Sequence, residues 1–414
     1  MFRPSESTTR RLCRAAFVAL CVAPTLATLA WIGWNRRPDR ARAEASRLGS
    51  TLLVHVAVDG WTSPRPGVAR TAQLTLAAPG EQTPGVQLTN VTITRSGRRI
   101  QIEADDVALE APRLAEHARR LQAALSELRT ASIHIRAGCV SVRGPADAEY
   151  SVRDAVVSLE VSEAGALKLQ CEAHGNSSEE ADSIRVIGER ASPGGELAVA
   201  VDARRGELPA WLLGVVAPAV AGVNGSARFT GVAQMGIAAD GTRGQLQGPL
   251  DGVELAALLP AGSPHRIAGV AKITIAALQW RDGRLESIDG SIDAANVAAS
   301  RSLIESAASA LTCGQTDLGI STPQLHLDRL ACRFQFDRRG LTLQGLIALH
   351  DNAPPSCLAT TGGRPLLFEP QAAGLPAGAW VRFLAAPGPS WLPATEQAVD
   401  MAHRLPLPTS PESR

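Results

Sequence analysis

Apolar and polar residues alternate with a period of two through most of this chain. Val91 and Ile93 lead through Arg95-Ser96-Gly97-Arg98 into Ile100, Ile102 and Ala104, which predicts a hairpin with one apolar face. The alternation recurs at Ile133/Ile135 and Val140/Val142 around Gly138, and at Val157/Leu159/Val161 and Leu167/Leu169/Cys171 around Ala164-Gly165. It returns at Leu197/Val199/Val201, and at Ile273/Ile275 and Leu278/Trp280 before Asp282-Gly283. The last clear copy is Cys332/Phe334/Phe336 with Leu341/Leu343 around Arg339-Gly340. Helical spacing is rarer. Residues 112–128 place Leu114, Leu121, Leu125 and Leu128 on one stripe, and 302–311 do the same with Leu303, Ile304, Ala307 and Leu311. The pattern predicts a mainly β fold with a few helices (α+β), dominated by a long antiparallel sheet with a single apolar face. That face has to be covered. The sheet curls over itself, helices lie on it, or lipid occupies it; alternation alone leaves all three open.

Two apolar runs break the pattern. Residues 15–34 are uncharged and mostly apolar, about the length that crosses a ~30 Å hydrocarbon core as a helix. Arg10, Arg11 and Arg14 flank one end, Arg36 and Arg37 the other, and Trp31 and Trp34 stand where interfacial indoles sit. The run ends in WIGWNRR without a small-residue cleavage site, which favours an uncleaved anchor over a signal peptide. The expected organisation is a cytoplasmic tail (1–14), a transmembrane anchor (15–34) and a juxtamembrane helix (35–50). A β-rich domain (51–351) and a Pro-rich, partly disordered segment (352–414) follow. A single pass of this kind places the protein at the inner membrane with its bulk on the periplasmic side. The second run, 208–223, is too short to span and is interrupted by Gly214, Pro218 and Gly222. It predicts a helix from about Pro209, kinked at Pro218, lying over the apolar face with Trp211, Leu212, Val215 and Val216 buried.

Composition narrows the chemistry. The chain has 414 residues, 41 basic against 40 acidic, so it lacks the basic field that nucleic-acid binding uses. Aromatic residues make up 4%, too few for an aromatic-lined cofactor pocket. The seven cysteines are dispersed, with no Cys-x-x-Cys pair, and read as buried free thiols rather than as a disulfide framework or zinc cluster. Cys171 and His174 are two metal-capable side chains where a zinc site needs three or four. His134 and His326 fall between apolar strand neighbours, and their rings are expected on the polar face. No Gly-x-Ser-x-Gly or His-Glu-x-x-His motif occurs, and Gly222–Gly231 lacks both the Gly-Lys-Ser/Thr ending and Gly-x-Gly-x-x-Gly spacing. No catalytic residue, cofactor or metal is expected, and the chain reads as a non-enzyme.

Three stretches carry a family resemblance: SRLGSTLLVHVAVDGWTSPRPGVARTAQLTL (46–76), GVNGSARFTG with GQLQGPLDGVELAALL, and ITIAALQWRDGRLESIDGSIDAANVAASRSLIESAASAL. They resemble the strand, turn and strand units of AsmA-like bacterial envelope proteins, and more loosely the type II secretion protein N group. The ending LPATEQAVDMAHRLPLP is similar to single-anchor proteins of planctomycete bacteria. The resemblance implies a curled, taco-shaped β-groove outside the inner membrane and a part in lipid handling or envelope assembly. Its groove would be lined by Val91, Ile93, Ile100, Ile102, Ile273 and Ile275, with Trp211, Leu212 and Val215 above. The partners it implies are the membrane, lipid acyl chains and envelope proteins. The alternative is an anchored scaffold or secretion component that binds protein partners.

Overall fold

The computed structural model describes residues 15–35, 43, 46, 55–65, 67–77, 84–111, 131–145, 148–175, 182–216, 226–238, 241–260, 263–317, 322–348, 356–371 and 374–384. The predicted helices at 35–50 and 112–128 lie outside these residues apart from 35, 43 and 46, as do the parts of 352–414 not named.

Among the described residues twenty-two strands pair into one sheet that follows the chain closely. β1 (His55–Asp59) and β2 (Thr62–Arg65) share one side of β3 (Val68–Ala77), which pairs with β4 (Val86–Ser96) and then β5 (Arg99–Glu110). The single parallel junction among the described pairings follows, β5 against β6 (Ala131–Arg143). A parallel pair needs a crossover of a dozen or more residues, and the chain between them supplies one. Antiparallel neighbours continue through β7 (Glu149–Val161), β8 (Leu167–His174), β9 (Ser183–Arg190) and β10 (Leu197–Arg205). The short β11 (Leu208–Pro209) and β12 (Arg228–Phe229) pair beside β13 (Val232–Ala238) and β14 (Gly241–Glu254). β15 (Ile267–Ala268), β16 (Val270–Arg281) and β17 (Arg284–Ser300) carry the sheet onward. After β18 (Cys313–Gln315), β19 (Gln324–Asp337) pairs with β17, β20 (Gly340–Gly345) and β21 (Cys357–Thr361). β22 (Arg364–Pro370) joins β21 to β18.

The predicted hairpins at 91–104, 157–171 and 332–343 form as β4–β5, β7–β8 and β19–β20. Gly138 is different. It sits inside the continuous strand β6, where a Cβ would stand 2.9 Å from the Asp105 carbonyl oxygen, so this glycine serves the close approach of β5 and not a turn.

The fold is mainly β with a few short helices, but the curled groove is not there. The sheet is open: among the described pairings none joins the β1–β3 end to the β18–β22 end. Helices and core side chains cover the apolar face instead. α2 (Ala210–Val216), α3 (Arg301–Ala310) and α4 (Ala377–Leu384) contribute Leu213, Leu303, Ile304, Ala307 and Ala379 to a core shared with β10, β14, β16, β17 and β19. Of the three ways to cover the face, helices prevail wherever α2 to α4 reach it.

The membrane anchor is also overturned. Within 15–34 a π-helical turn, Val18–Val22, precedes α1 (Ala23–Asn35). Among the described residues no helix is long and apolar enough to cross a membrane. The membrane as partner and the inner-membrane localisation rested on that span and fall with it.

Aromatic residues are few, and most of the large ones in the sheet lie over glycines. The Trp280 indole occupies the place a Cβ on its cross-strand neighbour Gly244 would need. Phe334 does the same for Gly290, Phe229 for Gly231 and Gly248, Phe368 for Gly314, and Trp211 for Gly144. A ring laid flat on a bare backbone buries both and fixes the register of the pair. The Gly-rich text that reads as turns is partly this.

Candidate functional site

The predicted groove-lining residues do not meet in one place. Val91, Ile93 and Ile102 belong to a small cluster with Val56, Leu74 and Ala104, and Ile100 lies half-buried at the start of β5. Ile273 and Ile275 are buried in the main core. Trp211 packs with Ala111 and Val142, and Leu212 is half-buried beside it. Val215 lies in α2, but its side chain is outside the described residues. Ile273 and Ile275, at 6% and 2% exposure, are enclosed by protein side chains. Around them the space an acyl chain would take is filled.

Other chemistry-bearing side chains are spent on structure. Cys171 and His174 are three residues apart in β8 and so project to opposite faces. His265 Nδ1 lies 3.1 Å from Ser302 Oγ, which lies 3.0 Å from Ser300 Oγ at the start of α3. The pair has the spacing of a base and a nucleophile, but the imidazole is 3% exposed and stacks on Phe383. It fastens α4 to α3, helped by Ser306 Oγ donating to the Phe383 carbonyl at 3.1 Å. Among the described residues no group of three or more His, Cys, Asp or Glu could hold a metal.

Burial pushes the Cys332 thiol up to about 12 and Cys313 to about 11. Cys171 and Cys357 are raised by burial too. A thiol kept protonated by the fold gives stability that is complete below the ordinary thiol value near 9. It is lost as pH rises through the raised values. We therefore expect the urea midpoint to fall between about pH 9 and about pH 12, and the fall to be shallower in Cys332→Ala. An unchanged slope in that variant would remove the thiols as the cause.

The outer, polar face carries an arrangement that faces solvent and converges. β9, β10, β13, β14, β16 and the start of β17 bound a concavity of about 490 Å³. Period-two geometry puts Ile187, Ala200, Gln234, Gln245 and Gln279 on this face, and the register places them in one row across the strands. Gln245 Nε2 donates to Gln234 Oε1 at 2.7 Å, and Ser287 Oγ, next in the row, donates to Gln279 Oε1 at 3.4 Å. The Gln234 amide nitrogen, the Gln245 amide oxygen and the Gln279 amide nitrogen have no protein partner among the described residues.

Ion pairs border the row. Arg243 grips Glu196 through Nε at 3.0 Å and Nη2 at 2.5 Å, and that hydrogen bond holds the Glu196 carboxyl below its ordinary range. Gly236 makes this geometry accessible, because the Glu196 carboxylate lies where its Cβ would be. On the other side Arg281 Nε pairs with Glu286 at 3.2 Å. β-Bulges at Leu246/Gly248 and Ile275/Ala277 add local twist beside the row.

Comparison with protein-family models, with curated proteins and with solved structures finds no match for this chain. The AsmA-like resemblance is corrected on that finding: alternating Val/Leu with glycine is a pattern any long antiparallel sheet produces. The envelope function inferred from it, whether lipid handling or an anchored scaffold with envelope partners, loses its support along with the span and the groove. The glutamine row went unread in the sequence. Its signal was present in AQM, GQLQG and LQW, where a Gln stands at the outward position of three neighbouring strands.

Proposed function

We propose that the protein is a non-catalytic binding module whose ligand docks in the outer-face concavity over β10, β13, β14 and β16. The observation that carries this reading is the row Gln234, Gln245 and Gln279, held in register and offering unused amide groups to solvent. Three exposed amides with one partner bond between neighbouring strands add little to stability; a shared ligand gives their alignment a use.

The test is a panel of defined probes: neutral oligosaccharides, acidic oligosaccharides, short peptides and nucleotides. Hydrogen exchange then locates any binding. We expect at least one polar class to slow exchange in β13, β14 and β16, and Gln245→Leu/Gln279→Leu to abolish the effect while keeping the wild-type urea midpoint. Protection confined to other strands, or a panel with no effect on these strands, overturns the reading.

A further inference from the structure

The spacing and chemistry of the row point to a particular ligand class. We propose that the concavity binds a linear, uncharged, β-linked polysaccharide laid across the strands, one sugar ring per strand. The inference rests on the binding-module reading above and gives it a substrate.

Neighbouring strands stand ~4.8 Å apart, so amides in one row repeat at that interval. A β-linked glycan in its extended form advances by about one strand spacing per ring, so successive rings meet Gln234, Gln245 and Gln279 in turn. An extended peptide laid the same way advances ~3.4 Å per residue and falls out of step after one contact. Functional groups agree with the spacing. Each free amide nitrogen gives two donors and each amide oxygen accepts, and a sugar hydroxyl both donates and accepts, so the row suits a ligand with hydroxyls along its length. Charge agrees as well. The lining carries three carboxylates, Glu189, Glu196 and Glu286, against two guanidiniums, Arg243 and Arg281, each of them ion-paired, a balance that disfavours a uronic or phosphate polymer. At the β9–β10 end Ile187 and Ala200 supply a small apolar floor suited to the C–H face of a ring. Six strands, β9, β10, β13, β14, β16 and β17, share the row, which sets the length of chain that can be held.

Calorimetric titration of the full chain with cello- and chito-oligosaccharides of increasing length tests this. Affinity is expected to rise with each added ring and to level off at about six rings, one per strand. Gln245→Ala and Gln279→Ala are each expected to weaken the hexamer roughly tenfold, the loss of one or two ligand hydrogen bonds. Circular dichroism should be unchanged, since both side chains are exposed. Equal or tighter binding of an α-linked maltohexaose or an acidic oligogalacturonate overturns the proposal, and so does glycan binding that the two variants leave intact. If peptides or nucleotides protect β13, β14 and β16 while no glycan does, the glycan is wrong and the binding module stands. If nothing protects those strands, both fall.

Discussion

Replacing Trp280 with Ala is expected to lower the unfolding free energy by about 3–5 kcal/mol, the usual cost of truncating a fully buried large aromatic. Trp280 is 1% exposed and sits in the middle of the largest core, and its indole covers the bare backbone of Gly244 on the next strand. Truncation therefore does two things at once. It opens a cavity beneath the outer-face row, and it uncovers Gly244, which has no side chain with which to refill the space. A collapse that closes the gap would have to bend β14 towards β16, which their register opposes. Chemical denaturation read by circular dichroism measures the loss; a cost under about 1 kcal/mol would show that the glycine–indole contact is not a packing keystone.

Substituting Gly248 with Ala is expected to cost about 3 kcal/mol, for a reason opposite to a cavity. Gly248 has a φ of +144°, a conformation that side-chain-bearing residues rarely adopt. A Cβ there would also press on the Thr230 carbonyl oxygen and stand 2.7 Å from Gly231 Cα and 3.0 Å from Phe229 Cε2. Two of those three neighbours are backbone atoms inside a paired sheet and cannot swing aside. Phe229, at 0% exposure, has no free rotamer to offer. Gly97, which has a positive φ at the β4–β5 turn but open space around it, is the control. Gly97→Ala should cost only the backbone strain, so similar losses at the two sites would refute the crowding account.

Most of the sheet was legible because its hairpins are local. An alternating run, a two- to five-residue turn and another alternating run specify β4–β5, β7–β8 and β19–β20 with no knowledge of the remaining chain. α3 was legible at Ser302 to Leu311 for the same reason, since its apolar stripe repeats within ten residues. What misled the reading was a signal with more than one physical source. Gly138 in β6 and Gly248 in β14 serve backbone proximity, and a turn glycine looks the same in the sequence. The uncharged run 15–34 satisfies a length rule, but a π turn at Val18–Val22 interrupts its α-helical hydrogen bonding, which hydropathy does not register. An amphipathic sheet must be covered, yet what covers it depends on where α2, α3 and α4 land, and that is long-range information.

The candidate site was missed for a related reason. Polar positions on a half-buried strand are usually discounted as solvated. Gln234, Gln245 and Gln279 become a row only when the register of three strand pairs is known, and two bulges stand between the sequence spacing and that register. The residues singled out instead, from Val91 to Ile275, share an apolar face in name but fall into separate clusters because the sheet is long.

The chain-following order of the sheet has a consequence for how damage spreads. From β3 to β9 every strand leans on its immediate predecessor and successor, and among the described pairings the β5–β6 junction is the parallel one. Such an architecture approaches a ribbon whose cohesion is a sum of nearest-neighbour terms, as in solenoids. A lesion among β1 to β5 is then insulated from the glutamine row by several independent strand interfaces. The same ribbon gives evolution a modular substrate, in which a hairpin can be lost or gained at the β1 end without redesigning the concavity at its centre.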